Sequence, residues 1–351
     1  MRITPQMMLS RYKSDVSDAY ASLAKAMRHS YDYRAFDRPS DDPLAATQTF
    51  DIHWQTDLNR NYASNISNLQ GEANTADKIL INVESILTQA DSTTALKSIN
   101  GDMNSENRGN MAKQLLSYRD SIVAQMNTKY ADNYLFSGSG GTTPFQLVKD
   151  PGGDSSKDKL YYRGVDVDTG KMKDGSTPTV SLDQLAGEKV FVDIGLGMTG
   201  TNGAVDDQSA YNTAMTGISY LGYGKNSDGI PNNICSILSK VAGILQGSTN
   251  ETALSTSELA QITKYTDAFS TSHDHLISGQ SQLGNNIHNV LNSTADYISQ
   301  MNDSLTEKDD KVEYVDYTDA IEDYYQQLYC YNASLKVGSQ ITQQSLIDYL
   351  K

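Results

Sequence analysis

Cysteine is scarce in this sequence, and the two cysteines lie far apart. Cys235 and Cys330 form no CxxC pair within the 351 residues, so neither a disulfide framework nor a thiolate metal site is indicated. No stretch approaches the roughly 18 apolar residues that predict a membrane-spanning helix. The opening MRITPQMMLSRYKSD lacks the apolar core and small-residue cleavage site of a Sec signal peptide. We therefore expect two free thiols, no membrane span, and no Sec-type export.

Positive charge is also in short supply. The chain has 28 basic and 43 acidic side chains, a formal net charge of −15, which argues against nucleic acid or an anionic membrane as a partner. The charge is distributed unevenly. Residues 1–40 hold seven basic and four acidic side chains, a net charge of +3, whereas residues 307–323 hold two basic and eight acidic ones, a net charge of −6. The two ends are therefore expected to attract each other.

Motifs give little support for catalysis or nucleotide binding. The sequence contains no GxSxG or GxxxxGK[ST] motif. His273 and His275 are two residues apart and would point to different faces of a helix, which disfavours a metal site. Asp166, Asp168 and Gly170 lack the other ligands of a calcium loop and instead predict a hairpin turn. Three further histidines are isolated in the sequence: His29, His53 and His288. We assign no catalytic residue, metal or cofactor, and predict that the protein is not an enzyme.

Apolar residues recur at steps of three and four almost to both ends of the chain, which is the pattern of amphipathic helices. After Pro43 the same spacing resumes at Leu58 and is sustained as far as Ala90, and it recurs from Leu283 to Val315. Stretches of this length are typical of coiled coils or long bundles. A terminal arm has no core of its own in which to bury such residues, so we predict that the arms pair with each other and with neighbouring copies. The predicted subunit interface comprises Met7, Met8, Leu9, Tyr12, Val16, Leu23, Met27, Leu328, Tyr331, Leu335, Val337, Ile341, Leu346 and Leu350.

The stretch RPSDDPLAA, residues 38–46, predicts a break followed by a helix start. Asp42 suits the N-cap and Pro43 the first helical position, while Pro39 disfavours helix just before it. We interpret Pro39, Asp41, Asp42 and Pro43 as a helix cap and hinge. Residues 29–37 lose the helical period and predict a loop. Phe50 and Trp54, just beyond the helix start, are expected to pack against that loop.

The middle of the chain differs in composition. A break at 98–110 and a second helix ending near Asn133 are predicted, followed by YLFSGSGGTTPF. Closely spaced turn signals between residues 145 and 270 then predict a β-rich insertion, with helices at 234–245 and 258–275. The predicted fold is mainly α, a long antiparallel bundle or coiled coil formed by the two terminal segments, with an inserted α+β domain. The predicted domains are 1–42 paired with 316–351, 43–145 with 275–315, and 146–274.

Four stretches together resemble the flagellin family, and within it the hook-associated junction proteins. They are MRITPQMML, RPSDDPLAA, YLFSGSGGTTPF and the terminal run VDYTDAIEDYYQQLYCYNASLKVGSQITQQSLIDYL. The resemblance covers residues 1–145 and 275–351. The double-Asp-Pro motif is common to flagellins generally, whereas the MRIT opening and the FSG turn before Pro144 and Phe145 favour the junction proteins.

The resemblance implies a secreted, extracellular structural protein of the bacterial flagellum, exported unfolded through the type III apparatus. It implies a homo-oligomeric ring, within a helical tube, between hook and filament. The implied partners are an adjacent hook-associated junction protein, filament flagellin, and an export chaperone at the C-terminal segment. The hinge would let subunits adapt between a curved hook and a stiffer filament. Two alternatives remain: filament flagellin itself, or a flagellin-like protein whose insertion binds a ligand.

Overall fold

A computed structural model describes residues 5–92, 104–201, 203–248 and 253–349. The chain divides into two compact units. We call Met1–Asn61 together with Ser299–Lys351 the terminal unit, and Tyr62–Ile298 the central unit. The predicted division into three domains stays a prediction.

Helices make up most of the described chain. They are α1 (Pro5–Asp32), α2 (Pro43–Ser92), α3 (Ser105–Met126), α4 (Leu182–Ala186), α5 (Gly217–Leu221), α6 (Ile234–Gly247), α7 (Thr256–Asn286), α8 (Ser293–Glu313) and α9 (Tyr317–Tyr349), with a π-helical segment, Ile287–Asn292, joining α7 to α8. The strands are short: β1 (Lys129–Tyr130), β2 (Asn133–Tyr134), β3 (Phe145–Val148), β4 (Lys159–Tyr162), β5 (Val165–Asp166), β6 (Phe191–Val192), β7 (Gly200–Thr201), β8 (Ala204–Val205) and β9 (Tyr211–Asn212). The predicted fold class, mainly helical with a strand-containing insertion, is confirmed.

In the terminal unit α1 and α9 pack against each other. The pairing is antiparallel, because Tyr12 lies beside Gly338 whereas Tyr20 contacts Tyr331, with ring centroids 5.9 Å apart. Gly338 permits this close approach, since a methyl group there would overlap the ring of Tyr12. The buried side chains described in the two helices are small, Ala26 and Ala320. The pair therefore encloses few of its side chains completely.

The central unit contains a larger core. Helix α6 packs against α3 and α7, and β3, β4 and β5 form an antiparallel sheet in which Phe145 is opposite Tyr162. These two rings are fully enclosed, with centroids 5.1 Å apart. Arg119 is also buried, and its guanidinium lies 2.6 Å from Asp158 and 2.7 Å from Asp120. Paired and hydrogen-bonded in this way, a buried charge is tolerated.

Three predicted boundaries were wrong. Helix α1 continues to Asp32 instead of yielding to a loop at 29, because the first residue with a helix-breaking conformation is Tyr33, at φ 55°. Helix α3 begins at Ser105, capped by the side chain of Asn104, so Gly109 lies inside the helix. It ends at Met126 rather than near 133. The side chain of Asn127 there bonds both the N–H and the C=O of Phe145, each at 2.9 Å, and this turns the chain into the insertion.

The two helices predicted in the insertion are present as α6 and α7, and α7 extends further than predicted, to Asn286. The predicted hairpin turn at DVDTGK is also present. The carboxylate of Asp166 accepts hydrogen bonds from the N–H groups of Asp168 and Thr169, and the C=O of Asp166 accepts one from Gly170. These local bonds occupy the Asp166 side chain and explain the turn without an ion.

Candidate assembly surface and arm root

The apolar faces of α1 and α9 are only partly covered by their pairing. Six of the predicted interface side chains are exposed: Met7, Met8, Leu9, Met27, Leu335 and Val337. Five are half-buried: Tyr12, Val16, Leu23, Leu328 and Tyr331. The side chains of Ile341, Leu346 and Leu350 lie outside the described residues. Within the described residues, no other part of the chain covers the six exposed side chains.

Several exposed tyrosines extend this surface beyond the predicted set. They are Tyr20, Tyr31, Tyr317, Tyr325 and Tyr329, of which Tyr329 is 80% exposed. None of these five tyrosines belongs to the predicted set of interface residues. A tyrosine suits such a position because its ring is apolar while its hydroxyl tolerates water. We call the exposed apolar and tyrosine side chains of α1 and α9 the arm surface.

The expected packing of Phe50 and Trp54 against the preceding loop was wrong. Both rings point to solvent, at 66% and 64% exposure. They lie four residues apart on α2 and so share one face of the helix. The prediction assumed that a single copy of the chain hides its only tryptophan, and this one does not.

The two arms meet at a second feature, which we call the arm root: residues 33–42, between α1 and α2, and residues 313–316, between α8 and α9. Arg34 and Tyr314 form an antiparallel bridge. On either side of it, Ala35 N–H donates to Glu313 C=O and Val315 N–H donates to Tyr33 C=O, each at 2.8 Å. Backbone hydrogen bonds therefore connect the segment between α1 and α2 to the segment between α8 and α9.

Side chains reinforce the arm root. Arg34 lies 3.1 Å from the carboxylate of Glu313, and Arg28 lies 3.0 Å from Asp37. The ring of Tyr33 contacts that of Tyr317, with centroids 5.6 Å apart. The Arg34 pair joins the basic and acidic ends of the chain. The exposed Arg28 pair is screened by solvent and contributes little.

The two helices that leave the arm root are capped alike. The carboxylate of Asp42 accepts the N–H of Leu44 and of Ala45, at 3.1 and 2.9 Å, and Pro43 is the first helical residue of α2. At the start of α9 the carboxylate of Asp316 accepts the N–H of Thr318 at 2.7 Å, and this bond holds the pKa of Asp316 below its usual range. Each carboxylate satisfies helix-terminal donors that would otherwise lack partners.

The remaining hinge residues form a tight turn just before Asp42. Asp41 donates its N–H to the C=O of Arg38, and its carboxylate accepts the Arg38 N–H at 3.2 Å. Pro39 lies inside this turn, where its fixed φ fits and its missing N–H costs no bond. That the segment acts as a hinge stays a prediction.

One histidine that is isolated in the sequence is not isolated in the fold. His53 Nε2 lies 3.2 Å from the carboxylate of Asp309 and 3.4 Å from that of Glu313. The sequence gives no signal of this cluster, because His53 and Asp309 are 256 residues apart. A periodicity argument places Asp309 and Glu313 on one face of a helix but cannot identify what faces them.

The central unit contains a separate cavity of about 820 Å³. Its lining includes Glu72, Glu188, Tyr211, Tyr220 and His275. Burial raises the pKa of the Glu72 carboxyl, and it raises that of Tyr220 to about 12. His273 does not join His275 there among the lining residues. The lining combines single polar groups from several elements, without a set of ligands or a nucleophile with a base.

Together these features define a class of protein: chains whose ends pair as antiparallel helices and whose middle forms a separate, partly stranded unit. Within the described residues, no helix combines the length and apolar content of a membrane span. No protein-family model matches the sequence, and no curated protein matches it at a significant level.

Solved structures identify the particular fold. The chain is similar to a protein described as a flagellar hook-associated protein from Vibrio parahaemolyticus, with a TM-score of 0.56, 18% identity, and coverage of 78% of this chain and 100% of the other. FlgL from Bacillus cereus matches with a TM-score of 0.43 and 13% identity over 74% and 99% of the two chains. The Vibrio protein shares the fold of this chain, so the predicted resemblance to flagellar hook-associated proteins is confirmed at the level of fold.

Proposed function

We propose that this chain is a structural subunit of the bacterial flagellum that forms the junction between hook and filament. It assembles as a homo-oligomeric ring through its terminal helices and has no catalytic role. The observation that carries the proposal is the arm surface: α1 and α9 pair with each other, yet they fully bury only small side chains and leave methionine, leucine, valine and tyrosine exposed.

The physical argument concerns where that exposed surface becomes buried. Burial of apolar surface contributes about 25 cal/mol per Å², or about 1.5–3 kcal/mol for a fully covered Leu, Val or Met side chain. Neighbouring copies placed side by side would cover the arm surface and supply this energy many times around a ring. Single exposed apolar residues are normal, but many of them along two paired helices are typical of an interface.

The proposed partners follow from the place in the flagellum. A ring between two different tubes contacts the neighbouring hook-associated junction protein on one side and filament flagellin on the other. The protein reaches this place unfolded through the type III apparatus, and an export chaperone covers the C-terminal segment before export. The exposed apolar residues in the second half of α9, Leu335 and Val337, are the ones such a chaperone would shield from water.

The test is genetic and uses a matched control. A strain without this gene is expected to build hooks and to release unattached flagellin into the medium. Wild-type protein restores attached filaments, and a Leu335→Gln, Val337→Gln variant does not, because it retains helix-forming residues but removes two apolar contacts. The control is Lys336→Gln, an exposed side chain between the two, which should restore filaments.

Secretion of each variant is measured in the same cultures, so that failed export is distinguished from failed assembly. If the double variant is exported and restores attached filaments fully, the arm surface is not the assembly interface. If the deletion strain sheds no flagellin because it makes no filament at all, and the protein is the main sheared extracellular species of the wild type, the protein is filament flagellin instead.

A further inference from the structure

The terminal unit holds a cluster of metal-ligating side chains that self-assembly does not require. It consists of His53 on α2 and of Asp309 and Glu313 on α8. The two acidic residues are one helical turn apart, so both face the same direction. One ligating atom from each residue lies within 4.8 Å of the other two.

The two distances from the histidine nitrogen match the edges of a zinc coordination shell. Zinc binds histidine nitrogen and carboxylate oxygen at about 2.0–2.2 Å with tetrahedral geometry, which places neighbouring ligand atoms about 3.3 Å apart. His53 Nε2 lies 3.2 Å from Asp309 Oδ2 and 3.4 Å from Glu313 Oε2. Hydrogen bonding alone accounts for the arrangement less well, because Nε2 carries at most one proton and two carboxylates face it.

The surroundings also fit a cation. Glu313 is held in place, since its side chain is 10% exposed and its other oxygen, Oε1, lies 3.1 Å from Arg34. Arg34 neutralises one of the two carboxylates and leaves one negative charge for a bound ion. The second oxygen of Asp309, Oδ1, is enclosed and has no hydrogen-bond partner among the described residues. Carboxylates that carry such unsatisfied buried oxygens are costly without a counter-charge.

We propose that His53 Nε2, Asp309 Oδ2 and Glu313 Oε2 form a binding site for one divalent transition-metal ion of the zinc class. The imidazole ligand favours zinc, cobalt or nickel over magnesium and calcium, which prefer shells made only of oxygen. The side chain of His53 is 52% exposed, so an ion reaches the site from solvent and a water molecule takes the fourth position.

A bound ion would stiffen the arm root. It links α2 to α8 directly, and through Glu313 it acts on the segment whose C=O accepts the Ala35 N–H. Arg34 connects the same carboxylate to the segment between α1 and α2. Residues that orient a metal ligand in this way commonly change metal affinity when they are replaced.

The test measures zinc binding to the full-length chain after treatment with a chelator. All proteins carry Cys330→Ser, because Cys330 is an exposed thiol and cysteine thiolates are zinc ligands, so its removal keeps the measurement to the proposed site. Isothermal calorimetry should show one equivalent of zinc, and cobalt should give the intense visible absorption of a four-coordinate ion. His53→Gln and Asp309→Asn should each weaken binding at least tenfold. The control His288→Gln, which replaces an exposed histidine outside the cluster, should leave binding unchanged.

A second measurement separates a site from a nonspecific effect. Zinc should slow hydrogen exchange at the amides of Ala35 and Val315 in the parent protein and in His288→Gln, but not in His53→Gln. Circular dichroism without metal checks that the variants keep the helical content of the parent. The absence of zinc binding in the parent, or binding that survives both His53→Gln and Asp309→Asn, would overturn the proposal.

Discussion

Asp168 offers a stability prediction whose size follows from the structure of the central unit. Burial raises the pKa of this carboxyl from 3.8 to about 6, with the neighbouring Asp166 adding to the effect, although Ser236, Lys240 and Lys225 act in the opposite direction. One carboxylate oxygen of Asp168, Oδ1, is enclosed without a hydrogen-bond partner among the described residues. Asp168 therefore binds a proton more tightly in the folded protein than in the unfolded chain.

The sign and size follow by linkage. The folded state binds the proton more tightly than the unfolded chain, so stability is highest below the unfolded pKa and falls as the pH rises through the folded value. The difference between 3.8 and about 6 corresponds to a loss of about 3 kcal/mol at neutral pH. Asp168→Asn has a similar shape and no charge, so it should recover much of that loss at about pH 7 and show little gain at about pH 4.

The assay is urea unfolding followed by circular dichroism at several pH values, and the free energy of unfolding of the main transition is compared between the two proteins. Asp174→Asn is the control. Asp174 is exposed and its pKa is lowered by hydrogen bonds from Ser176, so this variant should gain nothing at neutral pH. If Asp168→Asn gains no stability at neutral pH, or gains equally at every pH, a buried, proton-binding Asp168 is the wrong explanation.

Two predictions concern the arms. Gly338→Ala should loosen the pairing of α1 with α9, because overlap with the Tyr12 ring costs about 1–3 kcal/mol and outweighs the gain in helix propensity. Faster amide exchange in α9 would show this loosening. The control Gly109→Ala has open space for the added methyl group and should stabilise α3. The helical start of α9 should weaken as the pH falls through the lowered pKa of Asp316, since its cap is then lost. Asp316→Asn keeps the cap and should abolish that pH dependence, and unchanged pH dependence in this variant would contradict the capping argument.

Locally encoded features were predicted well from the sequence. The start of α2 is specified by two adjacent residues, because an aspartate that accepts helix N–H groups and a proline without an N–H both act within one turn. The helical spacing likewise identified α6 and α7, whose apolar faces pack in the core. These signals need no knowledge of distant parts of the chain.

Features that depend on distant pairing were not predictable. The bridge between Arg34 and Tyr314 uses backbone groups, which every residue carries, so the sequence does not mark it. The His53 cluster combines residues from two helices that periodicity arguments treat separately. The packing of Phe50 and Trp54 was predicted wrongly for another reason. Apolar character favours burial of a side chain, but it does not show whether the same copy of the chain buries it.

The arm root limits how the predicted hinge at Pro39–Pro43 would move. Were this segment the sole connection, rotation about a few backbone angles between Tyr33 and Asp42 would let the N-terminal arm move freely. The hydrogen bonds from Ala35 to Glu313 and from Val315 to Tyr33 connect that segment to the one between α8 and α9. Bending must therefore either break both bonds or turn both chain segments together. Because α2 and α9 each begin with their own carboxylate cap, the second route preserves both helices, so the proposed pivot is a two-chain element rather than a proline-flanked loop.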